Sequence, residues 1–150
     1  MLKVSRLLLA SQTWEEILAR FPKRFQAEIL DERSGSPEDI SELSSWKLDS
    51  PEPVKVSMKQ LLTVRGNLDT VARASDEAIE TINSKWGLSI QAGKRYDSNP
   101  GRYSQYSQMS GGTAEPSTMI NGKVYWGCGR FVAALMRGDQ SLLVWKVTRA

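Results

Sequence analysis

The chain has 150 residues, of which 40% are hydrophobic and 25% charged, with a formal net charge of +3 and no histidine. That length suits one modest hydrophobic core, and the composition excludes a fibrous or disordered chain. Without histidine there is no His-ligated metal site, no Ser-His or Cys-His pair and no histidine-dependent nuclease. Proton transfer therefore falls to carboxylates, lysine, tyrosine or water, and any metal is a hard ion held by oxygens.

The charge is unevenly placed. Residues 1–92 carry 12 Lys/Arg against 14 Asp/Glu, whereas residues 93–150 carry 8 against 3. The basic C-terminal part favours a polyanionic partner, although a merely solvated basic surface has the same composition. The single cysteine, Cys128, allows no intrachain disulfide and fits a reducing compartment. No apolar run approaches the ~18 residues of a membrane span. Leu7-Leu8-Leu9-Ala10 is shorter than the core of about 7 to 15 residues in a secretory signal. A cytoplasmic location is expected.

In chain order, Leu2 to Leu9 reads equally as a strand or as the start of a helix. Thr13-Trp14-Glu15-Glu16 is a capping box, and Trp14, Ile17, Leu18 and Phe21 follow on one helical face. Pro22 interrupts this pattern or begins a second helix carrying Phe25, Ile29 and Leu30. Ser36-Pro37-Glu38-Asp39 supplies an N-cap, a first-turn proline and acids at the positive helix end, predicting a short helix over 37–45. Asp49-Ser50-Pro51-Glu52-Pro53 is a connector, since both prolines push their neighbours out of helix. The expectation is a single domain: a helical extension over 1–50 and a core over 54–150.

Val54, Val56 and Met58 alternate with polar residues, the pattern of a half-buried strand. After a turn at Arg65-Gly66-Asn67, the residues Leu68, Val71, Ala72, Ile79, Ile82 and Trp86 form one helical stripe that Gly87 closes. Residues 93–115 differ in kind, being rich in Ser, Gly, Gln and Tyr with little apolar periodicity. They read as a long loop in which Lys94, Arg95 and Arg102 alternate with Tyr96, Tyr103 and Tyr106. Such cations neutralise a phosphate backbone while aromatic faces stack on unpaired bases, and a surface flap with no partner has the same composition.

The stretch Thr118 to Arg137 organises the remainder. Asn121-Gly122 between Thr118–Ile120 and Lys123–Trp126 predicts a hairpin with a two-residue turn of positive φ. Gly127-Cys128-Gly129-Arg130 then opens a helix over 131–137, which Gly138 ends, and a strand follows over 142–147. A helix start leaves N–H groups unpaired and carries roughly half a positive charge. Glycines let an anion approach the main chain there, and Arg130 adds a guanidinium fork suited to phosphate. The same string also serves as a plain tight turn with a surface arginine.

From Pro116 to Thr148, the hairpin, the Gly-Cys-Gly-Arg turn, the Ala-rich helix and the final strand resemble the C-terminal half of the ParB/sulfiredoxin superfamily. Val54 to Arg65 resembles its opening strand and arginine-bearing loop. The resemblance spans roughly the last hundred residues, with Gly127 to Arg130 its one sharp motif. It implies an α/β (α+β) fold in which a small mixed sheet is flanked by helices, with residues 93–115 as an insertion. Within the superfamily the chain is most similar to the plasmid fertility-inhibition factors. That likeness implies an ATPase and DNase acting on transferred, single-stranded DNA at a conjugative or type IV secretion apparatus, with ATP or another nucleoside triphosphate and Mg2+ as cofactors. The resemblance places nucleotide or DNA phosphate on Gly127, Cys128, Gly129, Arg130 and Arg65, and the Lys94 to Tyr106 loop, by its own composition, is expected to grip the DNA strand.

The carboxylates that could bind a divalent ion or activate water are Glu115, Asp97 and Asp69. Each of them reads equally as a surface acid. If the chemistry is instead that of sulfiredoxin, Cys128 is the nucleophile, a thiol whose pKa a helix N-terminus and a neighbouring arginine lower. Gly129 stands where sulfiredoxin has histidine, and Cys128 also reads as a small buried hydrophobe. A third reading is a non-catalytic DNA- or protein-binding module that blocks a secretion coupling complex by occupancy.

Overall fold

The fold comes from a computed structural model, which describes residues 13–32, 42–93 and 115–149. It is α+β, a five-stranded sheet with flanking helices. The chain divides into two compact units, one up to Pro51 together with the chain from Val147, the other spanning Glu52–Lys146.

In the first unit, α1 (Trp14–Leu18) is capped by Thr13, whose Oγ1 accepts from the Glu16 amide at 3.2 Å. The hydroxyl also donates to the Glu16 carboxylate, so the box closes side chain to side chain. Ile17, Leu18 and Phe21 are buried as the periodicity predicts. After Pro22, α2 (Lys23–Glu32) buries Phe25 and Ile29, but Leu30 is 55% exposed. One residue beyond Ile29 turns it by about 100°, off the apolar stripe. Residues 42–44 are helical and end at Ser45, while 37–41 and Leu2 to Leu9 lie outside the described residues. A strand absent from the sequence reading follows. β1 (Trp46–Leu48) pairs antiparallel with the end of β5, Trp46 opposite Arg149. Phe25 packs tilted on Trp46 with ring centroids 6.4 Å apart.

The second unit begins with β2 (Val54–Ser57), antiparallel to β5 (Ser141–Arg149) with Val54 opposite Val144. Met58 does not extend the strand; it is fully buried and starts the short helix α3 (Met58–Leu61). Arg65-Gly66-Asn67 is likewise no loop but the first turn of α4 (Arg65–Ala72). The predicted single helix over 68–86 is two. Ser75 caps α5 (Asp76–Trp86) by accepting from the Ala78 amide, and Asp76 and Glu77 complement the new helix start, so the chain re-nucleates there. Gly87, left-handed at φ 63°, closes α5.

The hairpin forms as predicted, β3 (Ser117–Ile120) against β4 (Lys123–Trp126), with Asn121 at φ 50° and Gly122 at φ 88°. Strand order runs β1-β5-β3-β4, with β2 also on β5. The helix α6 (Cys128–Arg137) buries every residue from Phe131 to Met136 and ends at left-handed Gly138. Its Phe131, Val132 and Leu135 join Met58, Val71, Ile82, Val124 and Val144 in one apolar cluster. Trp86 on α5 donates its indole N–H to the Leu135 carbonyl at 2.9 Å.

Candidate functional site

The Gly-Cys-Gly-Arg turn is held closed on the side of β3. Gly127 has φ +76°, and a Cβ there would lie 2.7 Å from the Ser117 hydroxyl oxygen. Its carbonyl accepts from Ser117 Oγ at 3.0 Å and from the Phe131 amide at 3.1 Å. The glycine is therefore required by backbone conformation and by contact with a buried strand, a reason distinct from the approach of a ligand. The Cys128 thiol lies 3.7 and 3.8 Å from the carbonyls of Tyr125 and Val124, turned toward the strand that precedes it, and the residue packs on the apolar cluster. Gly129 sits half-buried in the first turn of α6.

Arg130 reaches back to the residue just before Ser117, the strand residue packed on Gly127. Its Nη1 donates to the Pro116 carbonyl at 2.9 Å, tying α6 to the entry of β3. Along that side of the second unit lies a cleft of about 440 Å3, lined by Arg130, Arg137, Lys55, Glu115 and Asp139. Ala134, Leu142 and Leu143 supply apolar floor, and Gln140 and Ser141 add polar groups. Arg130, Ala134 and Arg137 stand at i, i+4 and i+7 on α6, one face of a helix. Lys55 arrives from β2, where it pairs with Leu143 of β5. Arg137 is held by Asp139 across Gly138, its Nε and Nη2 donating to one carboxylate oxygen at 3.2 and 3.0 Å. The three cations exceed the two carboxylates by one positive charge.

Of the residues singled out in the sequence, the cleft gathers Arg130 and Glu115. Arg65 stands elsewhere. It begins α4 beside the hairpin tip, where Val64 approaches Gly122 and Gly66 packs under the Lys123 side chain. The Gly127 turn is at the other end of β4, and Arg65 is not among the residues that line the Arg130 cleft. Asp69 is exposed on α4 and absent from the cleft lining. Asp97 and the basic-aromatic residues Lys94, Arg95, Tyr96, Arg102, Tyr103 and Tyr106 lie outside the described residues.

Comparison with protein-family models, characterised proteins and solved structures finds no match for this chain.

The sequence reading missed Lys55, Arg137 and Asp139. Arg137 was legible as the third member of the Arg130-Ala134 stripe, whereas Lys55 joins only through the β2–β5 pairing. Among the described residues no group of three or more Cys, Asp or Glu could hold a metal ion. Among the described residues no helix is long and apolar enough to cross a membrane.

Proposed function

We propose that this protein binds phosphate-bearing ligands in the Arg130 cleft and hydrolyses them, as an ATP-hydrolysing DNase acting on transferred DNA. The observation that supports this best is the convergence of Arg130 and Glu115, fifteen residues apart, on one cleft with Lys55, Arg137 and Asp139. Its volume of about 440 Å3 falls within the 300–1,000 Å3 typical of small-molecule sites. Arg130, Arg137 and Lys55 would take the phosphate oxygens, and Glu115 with Asp139 would hold Mg2+ or orient the attacking water. The basic excess of residues 93–150 supports a polyanionic substrate. In biological role this reading makes the chain a plasmid fertility-inhibition factor similar to the oncogenic suppression activity protein, Osa. Its partners would then be single-stranded transferred DNA and components of a type IV secretion apparatus.

The orientation of the Cys128 thiol, toward backbone carbonyls, disfavours the sulfiredoxin-like alternative. The test is purified protein with Mg2+, ATP and single-stranded DNA. Phosphate release and strand nicking are expected, and both should be lost in Arg130→Ala and in Lys55→Ala, whose exposed side chain makes it safe for folding. DNA binding without either activity would instead establish a module acting by occupancy.

A further inference from the structure

We propose that the Gly127 to Arg130 turn positions Glu115 in the cleft by holding the two residues that follow it, which makes Pro116 and Ser117 positioning residues. This deepens the preceding reading and rests on it. Glu115 is exposed where it lines the cleft, but Pro116 and Ser117 directly after it are buried. The turn grips both. Ser117 Oγ donates to the Gly127 carbonyl at 3.0 Å, and the two residues pack so closely that a Cβ on Gly127 would stand 3.0 Å from the Ser117 Cα. One residue earlier, the Pro116 carbonyl accepts from Arg130 Nη1 at 2.9 Å.

Successive Cα atoms stand about 3.8 Å apart, so fixing Pro116 leaves the Glu115 backbone little room to shift. A proline also biases the residue before it toward extended backbone, which sets the direction from which the acid enters. Arg130, Ala134 and Arg137 line the cleft from α6, the helix that this turn begins. The guanidinium of Arg130 is thereby both part of the lining and the brace on the residue next to Glu115. Cations and acid are set relative to one another by a single helix and the strand entry it holds. An error of about 1 Å in such a placement can cost a hundredfold in rate.

The test combines steady-state ATP hydrolysis in Mg2+ with titration calorimetry of ATP in EDTA. Ser117→Ala removes one hold while the Gly127 carbonyl keeps the Phe131 amide, and Pro116→Ala keeps its carbonyl while relaxing the backbone of Glu115. Each should lower kcat about tenfold and leave ATP affinity within about twofold of the parent. In a Glu115→Gln background, itself slower by at least about tenfold, the same changes should cost under about twofold, the signature of residues acting through Glu115. Should Ser117→Ala not fold, Pro116→Ala decides alone. With a parent that hydrolyses ATP, a parental kcat in the folded variants or in Glu115→Gln overturns this inference and leaves the cleft reading standing. So does a loss undiminished by Glu115→Gln, or an ATP affinity that falls as far as kcat. A parent that neither binds nor hydrolyses ATP overturns both, and one that binds without hydrolysis overturns this inference and the catalytic part of the reading.

Discussion

Asn67 is the residue on which the placement of the hairpin turns, and its removal can be costed from its contacts. It is fully buried at the start of α4. Its Nδ2 donates to the carbonyls of Leu61 and Gly122 at 2.8 and 3.0 Å, and its Oδ1 accepts from the Val124 amide at 2.8 Å. Asn67→Ala takes a partner from three backbone groups, of which the Leu61 carbonyl still accepts from the Val64 amide at 3.2 Å. A stranded buried amide costs about 2 kcal/mol and the Gly122 carbonyl about 1 kcal/mol, so the loss should be roughly 3 kcal/mol. At roughly 2–4 °C per kcal/mol for a chain of this size, Tm should fall by about 10 °C. Asn67→Asp should be at least as harmful, since a carboxylate still accepts from Val124 but cannot donate to either carbonyl and sets a charge against both oxygens. Half-buried Asn83 gives the comparison. It makes two bonds to Ile90, at 2.8 and 2.9 Å, and Asn83→Ala should cost only about 1–2 kcal/mol. Urea denaturation of the three variants measures this directly. A loss below about 1 kcal/mol for Asn67→Ala, or one no larger than that of Asn83→Ala, would refute the reasoning.

Gly127→Ala should cost at least about 2 kcal/mol, because the left-handed conformation and the contact with Ser117 both oppose a side chain. At Gly87, also left-handed but with nothing within 4 Å of a Cβ, alanine should cost about 1 kcal/mol and asparagine less, which thermal melts can rank. Cys128→Ser should leave the proposed ATP and DNA hydrolysis intact, since the thiol faces backbone carbonyls; abolished turnover in a folded variant would instead promote thiol chemistry. Trp86→Phe should destabilise by about 1 kcal/mol through loss of the indole bond to Leu135, read as a shift in urea midpoint.

What could be read from the sequence is what depends on neighbours in the chain. Asn121-Gly122, Gly87, Gly138 and Thr13 each take the conformation or capping role that their own chemistry prescribes. The break between α4 and α5 was written locally too, in Ser75-Asp76-Glu77, but the apolar stripe running across both helices concealed it. β1 is three residues long, too short to show a period, and takes its identity from pairing with β5. Asn67 gave no signal, because its partners Gly122 and Val124 lie 55 and 57 residues away and an asparagine after a glycine reads as a turn. The cleft divides the same way. Arg130 was visible beside its glycines, whereas its neighbours Lys55 and Glu115 join it only through strand pairing and the path of the chain into β3.

The bond between Asn67 and Val124 also bears on the edge of the sheet. Among the described residues β4 is the outermost strand on its side, and such a margin is a template on which another polypeptide can grow. A side-chain amide from α4 occupies the Val124 N–H, and the Lys123 side chain lies against Gly66 alongside it, so this part of the margin is covered from within the fold. An asparagine buried for the sake of the hairpin thereby also withdraws one donor from the edge of the sheet.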